Sequence, residues 1–432
     1  MSPSRSGVTL TITVAIFYSL CIWTFCAFIV GFFYAWLTER VARWAWTMHC
    51  LYKRHGIVPC WARKLPHRGN MFHVRMNLIA LSLAAAVSAV FAQGTAPDLA
   101  PMPEPKPGNA AMVELGKHFF FDNRLSGDWG VSCASCHDPE KGWGDGQALS
   151  VGSPSMEHFR NSPTVLNAAH RKRFLWDGRL DGSDAGTLVR DMITETHTMN
   201  MDSRLMQERL KQVPEYDALW KKWRPNDDIN GMRVFNVIGE FIRSLETKNA
   251  PFDKFAKGDV NAIDTESKQG YELFKGKAGC VACHNGPIGS DGKLHKTGVP
   301  ENPEVLKNPL RTITMLRHYA TNGMPNYMNA RADVGAYAIT KDKRDIGKFQ
   351  TAQLRDLRYT APYMHNGMFK TLEEVVAFYN AGGGAGAELK ALNLSSSEQK
   401  ALAAFLLTLS GDKITVKAPT APDMQVRAFG KN

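Results

Sequence analysis

Cys133-Ala134-Ser135-Cys136-His137 and Cys280-Val281-Ala282-Cys283-His284 lie about 147 residues apart in a chain of 432. Two thiols three positions apart can each add to a vinyl group of one porphyrin, and the histidine that follows them can then reach the iron. Each pentapeptide is therefore read as the attachment site of one covalently bound c-type haem. The competing readings are a zinc half-site, a thioredoxin-like pair and a structural disulfide. Zinc is disfavoured because each cluster supplies two cysteines and a single histidine. A thioredoxin pair would sit in a βαβ pattern, which this chain lacks, and has no need of the histidine. Two redox irons in one polypeptide point to electron-transfer chemistry.

Cysteine usage agrees. Of eight cysteines, Cys21, Cys26, Cys50 and Cys60 precede residue 92, where the mature protein is expected to begin. The other four are all consumed by the two motifs, which leaves no disulfide framework to account for.

Residues 71–92 read as a secretory signal peptide. His73 and Arg75 lead an apolar run from Leu78 to Phe91, with Val90 and Ala92 at the small-residue positions before a cut. Attachment of c-type haem takes place outside the bacterial cytoplasm, so a periplasmic location is expected. Residues 1–70 have two readings. The apolar run from Val8 to Leu37 is long enough to span a bilayer, and the basic flank from Arg40 to Arg68 would stay cytoplasmic, giving a membrane anchor. Alternatively, translation starts at Met71 or Met76 and the upstream residues reflect a misassigned gene start, which the complete internal signal favours. Residues 1–92 hold nine Lys or Arg and one Glu, so their removal takes the formal charge from +11 to +3. Four haem propionates would bring it near zero, and the basic balance is no argument for nucleic acid.

About 340 residues remain, enough for two domains. Residues 93–110 form a proline-rich, extended lead-in. A weak repeat follows, Leu115-Gly116-Lys117-His118-Phe119-Phe120 before the first motif and Gln269-Gly270-Tyr271-Glu272-Leu273-Phe274 before the second. Two cytochrome c-like domains are read from it, residues 111–250 and 262–412, with a tail at 413–432. Val234, Val237, Ile238, Phe241 and Leu245 recur at helical spacing and predict a helix over 232–245. Residues 247–262 read as the linker, and Asp264 or Thr265 as the cap of the next helix. Residues 285–360 are rich in Gly, Pro and Asn and read as long loops around a cofactor. Helices are expected again at 371–379 and 396–409. The fold class is mainly α.

With these motifs in place, the chain resembles the bacterial diheme cytochrome c peroxidase family and its MauG-like branch, from about Leu115 to Leu409. The carriers, besides the haem motifs, are Arg160-Asn161-Ser162-Pro163-Thr164-Val165-Leu166-Asn167, Trp176-Asp177-Gly178-Arg179, Tyr359-Thr360-Ala361-Pro362-Tyr363-Met364-His365-Asn366-Gly367 and Thr371-Leu372-Glu373-Glu374-Val375-Val376. The resemblance implies a haem peroxidase of the cytochrome-c peroxidase type. Hydrogen peroxide would react at the N-terminal haem on His137, and the C-terminal haem on His284 would relay electrons. Trp176 would bridge the two, although a lone tryptophan is more often a core indole. A calcium ion is also implied, on the Asn167 side-chain oxygen and the carbonyls of Thr360 and Pro362. The plain alternative for Asn167 is a turn or cap.

Tyr379 shares a helical face with Leu372, Val375 and Val376. The resemblance makes it the sixth ligand of the His284 haem, where classical peroxidases of the family place methionine, and favours the MauG-like branch. Met364 and Met368 are rival ligands, and a core aromatic is the plain alternative. Splitting peroxide needs a group that moves a proton, which the family supplies as a glutamate just before a methionine. Here Thr198 precedes Met199, and Glu195 or His197 would have to serve; His158 is a candidate displaceable distal ligand. The electron source would be a small cytochrome c or cupredoxin, or else the oxidisable Trp or Tyr of a protein substrate. A non-enzymatic diheme electron carrier is the alternative function, and it would require both irons to be six-coordinate and inert to peroxide.

Overall fold

The computed structural model describes residues 98–153 and 156–426, which belong to one compact unit, Gly94–Asn432. The expected membrane span, signal peptide and first residues of the lead-in lie outside the described residues. Among the described residues the fold is mainly helical, and no helix is long and apolar enough to cross a membrane. Strand content among the described residues is limited to two antiparallel pairs of two-residue strands, β1 (Arg173–Phe174) with β2 (Leu180–Asp181) and β3 (Leu294–His295) with β4 (Phe349–Gln350).

The first hydrophobic core is built by α1 (Ala110–Phe120), α3 (Ala185–Thr194), α4 (Ser203–Lys211), α5 (Pro214–Trp223) and α6 (Gly231–Arg243), with the four-residue α2 (Cys133–Cys136) at its edge. The spacing of apolar residues found α6, whose Val234, Val237, Ile238 and Phe241 are buried; Asn230 caps it, and Leu245 lies just beyond its end. A second core gathers α7 (Pro251–Ala256), α8 (Thr265–Lys275), α12 (Leu372–Asn380) and α13 (Ser396–Leu407). Asp264 caps α8 through Ser267 N, and Thr371 and Ser395 close capping boxes on α12 and α13.

Two expectations need correcting. The supposed linker 247–262 contains α7, begun by Pro251 and anchored by the fully buried Phe252. The supposed loop region 285–360 contains α9 (Glu304–Lys307), α10 (Pro309–Thr321) and α11 (Tyr337–Thr340), which enclose a third small core of Val305, Met315, Tyr319, Met324 and Ala338 with Leu149 and Phe159. Periodicity did not reveal α10 because Leu310 and Ile313 sit on its exposed side.

The ends of the unit cross over. Leu99 of the lead-in packs into the second core and bridges Gly286, while Ile414, Val416 and Met424 of the tail pack on the first. Trp143 Nε1 donates to Ile414 O at 2.8 Å, so the tail is fastened beside the first haem motif.

The internal repeat has a physical basis in two close helix crossings. A Cβ on Gly116 would meet Val237 O of α6 at 2.3 Å, and one on Gly270 would meet Ala401 O of α13 at 2.0 Å. Each repeat glycine therefore lets its helix touch the backbone of the helix that completes its core. In an isolated helix, alanine would gain about 1 kcal/mol over glycine. Against a backbone carbonyl that cannot move aside, overpacking dominates, and Gly270→Ala is expected to destabilise the protein by about 1–3 kcal/mol. A thermal melt that rises in this variant would contradict the crossing.

Candidate active site

Both Cys-x-x-Cys-His segments fold as a single tight turn. In the first, Ser132 and Ser135 form a capping box around α2, and His137 N donates to Cys133 O at 3.0 Å. In the second, Gly279 (φ 62°) turns the chain into the 3-10 turn Cys280–Ala282, and His284 N donates to Cys280 O at 2.9 Å. All four thiols are free rather than paired as disulfides. Burial pushes Cys133 up to about 12 and Cys136 and Cys280 up to about 11, so these are protonated thiols.

The imidazoles are oriented alike. His137 Nδ1 lies 3.1 Å from Trp143 O, and His284 Nδ1 lies 2.9 Å from Gly289 O. A carbonyl can only accept, so Nδ1 carries the proton and Nε2 is left as the ligand nitrogen. Desolvation lowers both pKa values and keeps the rings neutral, the form that binds metal.

A cavity of about 710 Å³ opens on the second motif. Cys280, Cys283, His284 and Tyr379 all line it, with apolar walls from Leu372, Val375, Val376, Leu402 and Leu406. The expected helical face of α12 thus meets the cavity. Met364 lines it too, at φ 75°, whereas Met368 is 37% exposed and outside it. Burial and the neighbouring cysteines push the Tyr379 phenol pKa up, so the free side chain is neutral. Gln353 also lines the cavity, and its buried amide oxygen and nitrogen have no hydrogen-bond partner among the described residues. Two free thiols, an imidazole with Nε2 available, an apolar slot and an unsatisfied polar group together fit a covalently held haem.

Trp176 occupies the loop of the β1–β2 hairpin and lines the same cavity. Its Nε1 donates to Asn161 O at 2.9 Å, and its carbonyl accepts from Gln350 N at 2.8 Å. The indole meets His365 edge-on at 6.5 Å, and His365 stacks on Phe349 at 3.7 Å. Beneath the hairpin lies a buried charge cluster that sequence reasoning missed. Arg160 Nη1 contacts Asp177 at 2.7 Å, while its Nε and Nη2 clasp Asp333 at 2.6 and 2.8 Å. Asp177 also receives Arg179 at 2.8 Å and faces His318 Nε2 at 3.4 Å. Arg160 and Asp177 stood in motifs already singled out; Asp333 and His318 lie far along the chain with no local signal.

The proton-transfer candidates converge on a second cavity, of about 250 Å³, lined by Glu195, His197, Arg179, Asp191, His318 and Asn322 among others. Glu195 ends α3, and its Oε2 lies 3.7 Å from His197 Nδ1, beyond hydrogen-bond range. Thr198 is turned away, with its hydroxyl bonded to Glu195 O at 2.9 Å and to Met192 O. His158 stands beside His197, ring centroids 5.4 Å apart. Burial pushes His158 down to about 4 and His197 down to about 3. The loop that carries His158 runs back to the first haem motif, since Val151 pairs with Glu157 and Val151 O lies 3.5 Å from Cys136 Sγ.

The calcium donors do not assemble as expected. Asn167 is buried at φ 60°, and its Oδ1 accepts from Thr247 N at 2.9 Å and Thr247 Oγ1 at 3.0 Å. Thr247 in turn bonds Asp356, so the Asn167 oxygen is committed to a loop-tying cluster. Thr360 and Pro362 line the large cavity, and the asparagine that shares it with them is Asn161. The set of Asn167, Thr360 and Pro362 therefore does not fit one ion, for want of a free Asn167 oxygen.

The model of the family "Di-haem cytochrome c peroxidase" matches residues 110–261. The chain is 76% identical over 368 residues to cytochrome-c peroxidase IdrP2 of Pseudomonas sp. (strain SCT), covering 85% of this chain and 99% of that protein. It is 34% identical over 343 residues to methylamine utilization protein MauG of Methylorubrum extorquens, covering 78% and 88%. Among solved structures, a MauG-like protein associated with microbial copper homeostasis shares the fold with a TM-score of 0.59 at 23% identity, over 74% of this chain and 95% of that one. With both haem-attachment motifs in place and a relative matched over nearly its whole length, the chain belongs to the di-haem cytochrome c peroxidase family, MauG included.

Proposed function

We propose that the chain is an exported, periplasmic peroxidase with two cytochrome c-like domains, in which His137 holds the haem that meets hydrogen peroxide and His284 the haem that receives electrons. The observation that carries this reading is the cavity shared by Cys280, Cys283, His284, Tyr379 and Trp176. When bound, the haems supply redox-active irons, one to reduce the O–O bond and one to take up electrons. All else falls to side chains.

The Trp143 and Gly289 carbonyls hold the two imidazoles in the ligand tautomer. Trp176, fixed by Asn161 and by Gln350, offers an oxidisable ring that cannot swing away. Tyr379 is the side chain placed to supply an oxygen ligand in the wall of the large cavity; its raised pKa means that only a nearby cationic metal would draw off its proton. For proton movement Glu195 is preferred over His197. A histidine held near 3 is a poor acceptor at neutral pH, whereas Glu195 combines a place in the second cavity with access to water. Calcium is left out of the mechanism because its expected donors do not fit.

The electron source is proposed to be a small cytochrome c, as the name of the 76% identical relative suggests for that protein. Tyr379 favours a second reading, in which the oxidising equivalents are spent on a Trp or Tyr of a partner protein.

Replacing Tyr379 with Met is expected to change the optical spectrum of one haem and raise its midpoint potential, since thioether ligation favours the reduced iron. An unchanged spectrum would mean that Tyr379 is not a ligand. For Glu195→Gln, stopped-flow mixing with peroxide should show a rate constant lower by about 10²-fold or more at unchanged haem content, while His197→Gln changes it little. The reverse ranking would move the proton-transfer role to His197.

A further inference from the structure

Arg171 is a cation without a counter-charge among the described residues. Its Nη2 donates to two main-chain carbonyls, Thr164 O at 2.6 Å and Leu166 O at 3.4 Å. Its Nε is buried and has no hydrogen-bond partner among the described residues. Burial alone acts on it, pushing the pKa down to about 10, and no described carboxylate offsets the loss of water. Arg124 has Asp122, Arg160 has Asp177 and Asp333, and Arg355 has Asp253, while Arg209, which also meets no described carboxylate, gives both Nη1 and Nη2 to main-chain carbonyls. A buried charge left unpaired is strongly unfavourable, so Arg171 calls for an anion from elsewhere.

Its place narrows the anion. Arg171 lines the large cavity together with Leu175, Trp176 and His284. Its charge is also felt at His137, whose pKa it helps to lower. The guanidinium therefore stands within electrostatic reach of one haem-binding histidine and on the cavity wall of the other. The anionic groups a haem carries are its propionates, and a guanidinium edge matches a carboxylate better than any other cation does. The carbonyls of Thr164 and Leu166 hold the guanidinium in place through Nη2 and leave Nε without a partner among the described residues.

We propose that Arg171 binds a propionate carboxylate of a bound haem through its Nε and acts as a positioning residue that raises that haem's reduction potential. The pair rests on the two-haem reading above. A fixed positive charge beside a haem favours the form with one electron more, so its removal lowers the potential.

The test uses the full chain with its haems attached. Mass spectrometry first counts covalent haems; fewer than two in the unmutated protein would overturn the reading on which the pair rests. With two haems present, Arg171→Gln is expected to lower the ferrous-to-ferric ratio of one haem at least tenfold at fixed potential, which is about 59 mV for a one-electron couple. Arg171→Lys should recover most of the shift. If the shifted haem is the one whose spectrum responds to Tyr379→Met, the carboxylate belongs to the His284 haem, and otherwise to the His137 haem. Two loaded haems with both potentials unchanged would overturn the role of Arg171 and leave the two-haem reading standing. Should Arg171→Gln fail to fold, resonance Raman of the unmutated protein decides: one propionate bending band at its hydrogen-bonded position is expected, and all bands at the free position would overturn the pair.

Discussion

One hydrogen bond sets the chemistry at each motif, from imidazole Nδ1 to a carbonyl a few residues downstream. It runs from His137 to Trp143 and from His284 to Gly289. Without it, a neutral imidazole could present either nitrogen and rotate about its side chain; with it, Nε2 is the ligand atom and the ring plane is fixed. The acceptor carbonyls are in turn held by structure. Trp143 adopts φ 63°, is fully buried, and is tied by its indole to the C-terminal tail. The first imidazole therefore depends on residues that lie more than 270 positions further along the chain.

The two motifs share this lock and differ in what faces them. At the second, α12 brings Leu372, Val375, Val376 and Tyr379 to one cavity wall. Near the first, the loop from Val151 to His158 leads to His197 and Glu195, polar groups gathered round a small cavity. The Trp176 hairpin, on the wall of the large cavity, is held by the Arg160 cluster. Removing one partner of a buried pair of this kind typically costs about 3–5 kcal/mol, because the other charge is stranded. The cluster thus fixes an oxidisable ring and also joins the hairpin to α10 through His318 and to the segment around Asp333. This asymmetry is what the proposed division of labour requires.

Much of this was legible in the residues. The Cys-x-x-Cys-His spacing is local chemistry and announced both attachment sites. Helix α6 carries a clean apolar face, so periodicity found it, and the helices expected at 371–379 and 396–409 stand as α12 and α13 behind capping boxes. The shared glycine of the repeat, Gly116 and Gly270, marks a crossing that only the structure explains. Helix α10, 13 residues long, escaped because it opens on Asn308-Pro309, a pair that reads as a turn, and points Leu310 and Ile313 outward. Asp333 could not be paired with Arg160 because 173 residues separate them. Nothing local to the motif of Asn167 tells that Thr247, 80 residues further along, takes its side-chain oxygen.

The central claim is that the two irons are unequal, one open to peroxide and one held by a second protein ligand. Electron paramagnetic resonance of the ferric protein, before and after one equivalent of hydrogen peroxide, tests it most directly. The account predicts one high-spin and one low-spin haem, with the high-spin signal consumed by peroxide. Two low-spin haems whose signals persist after peroxide would contradict it.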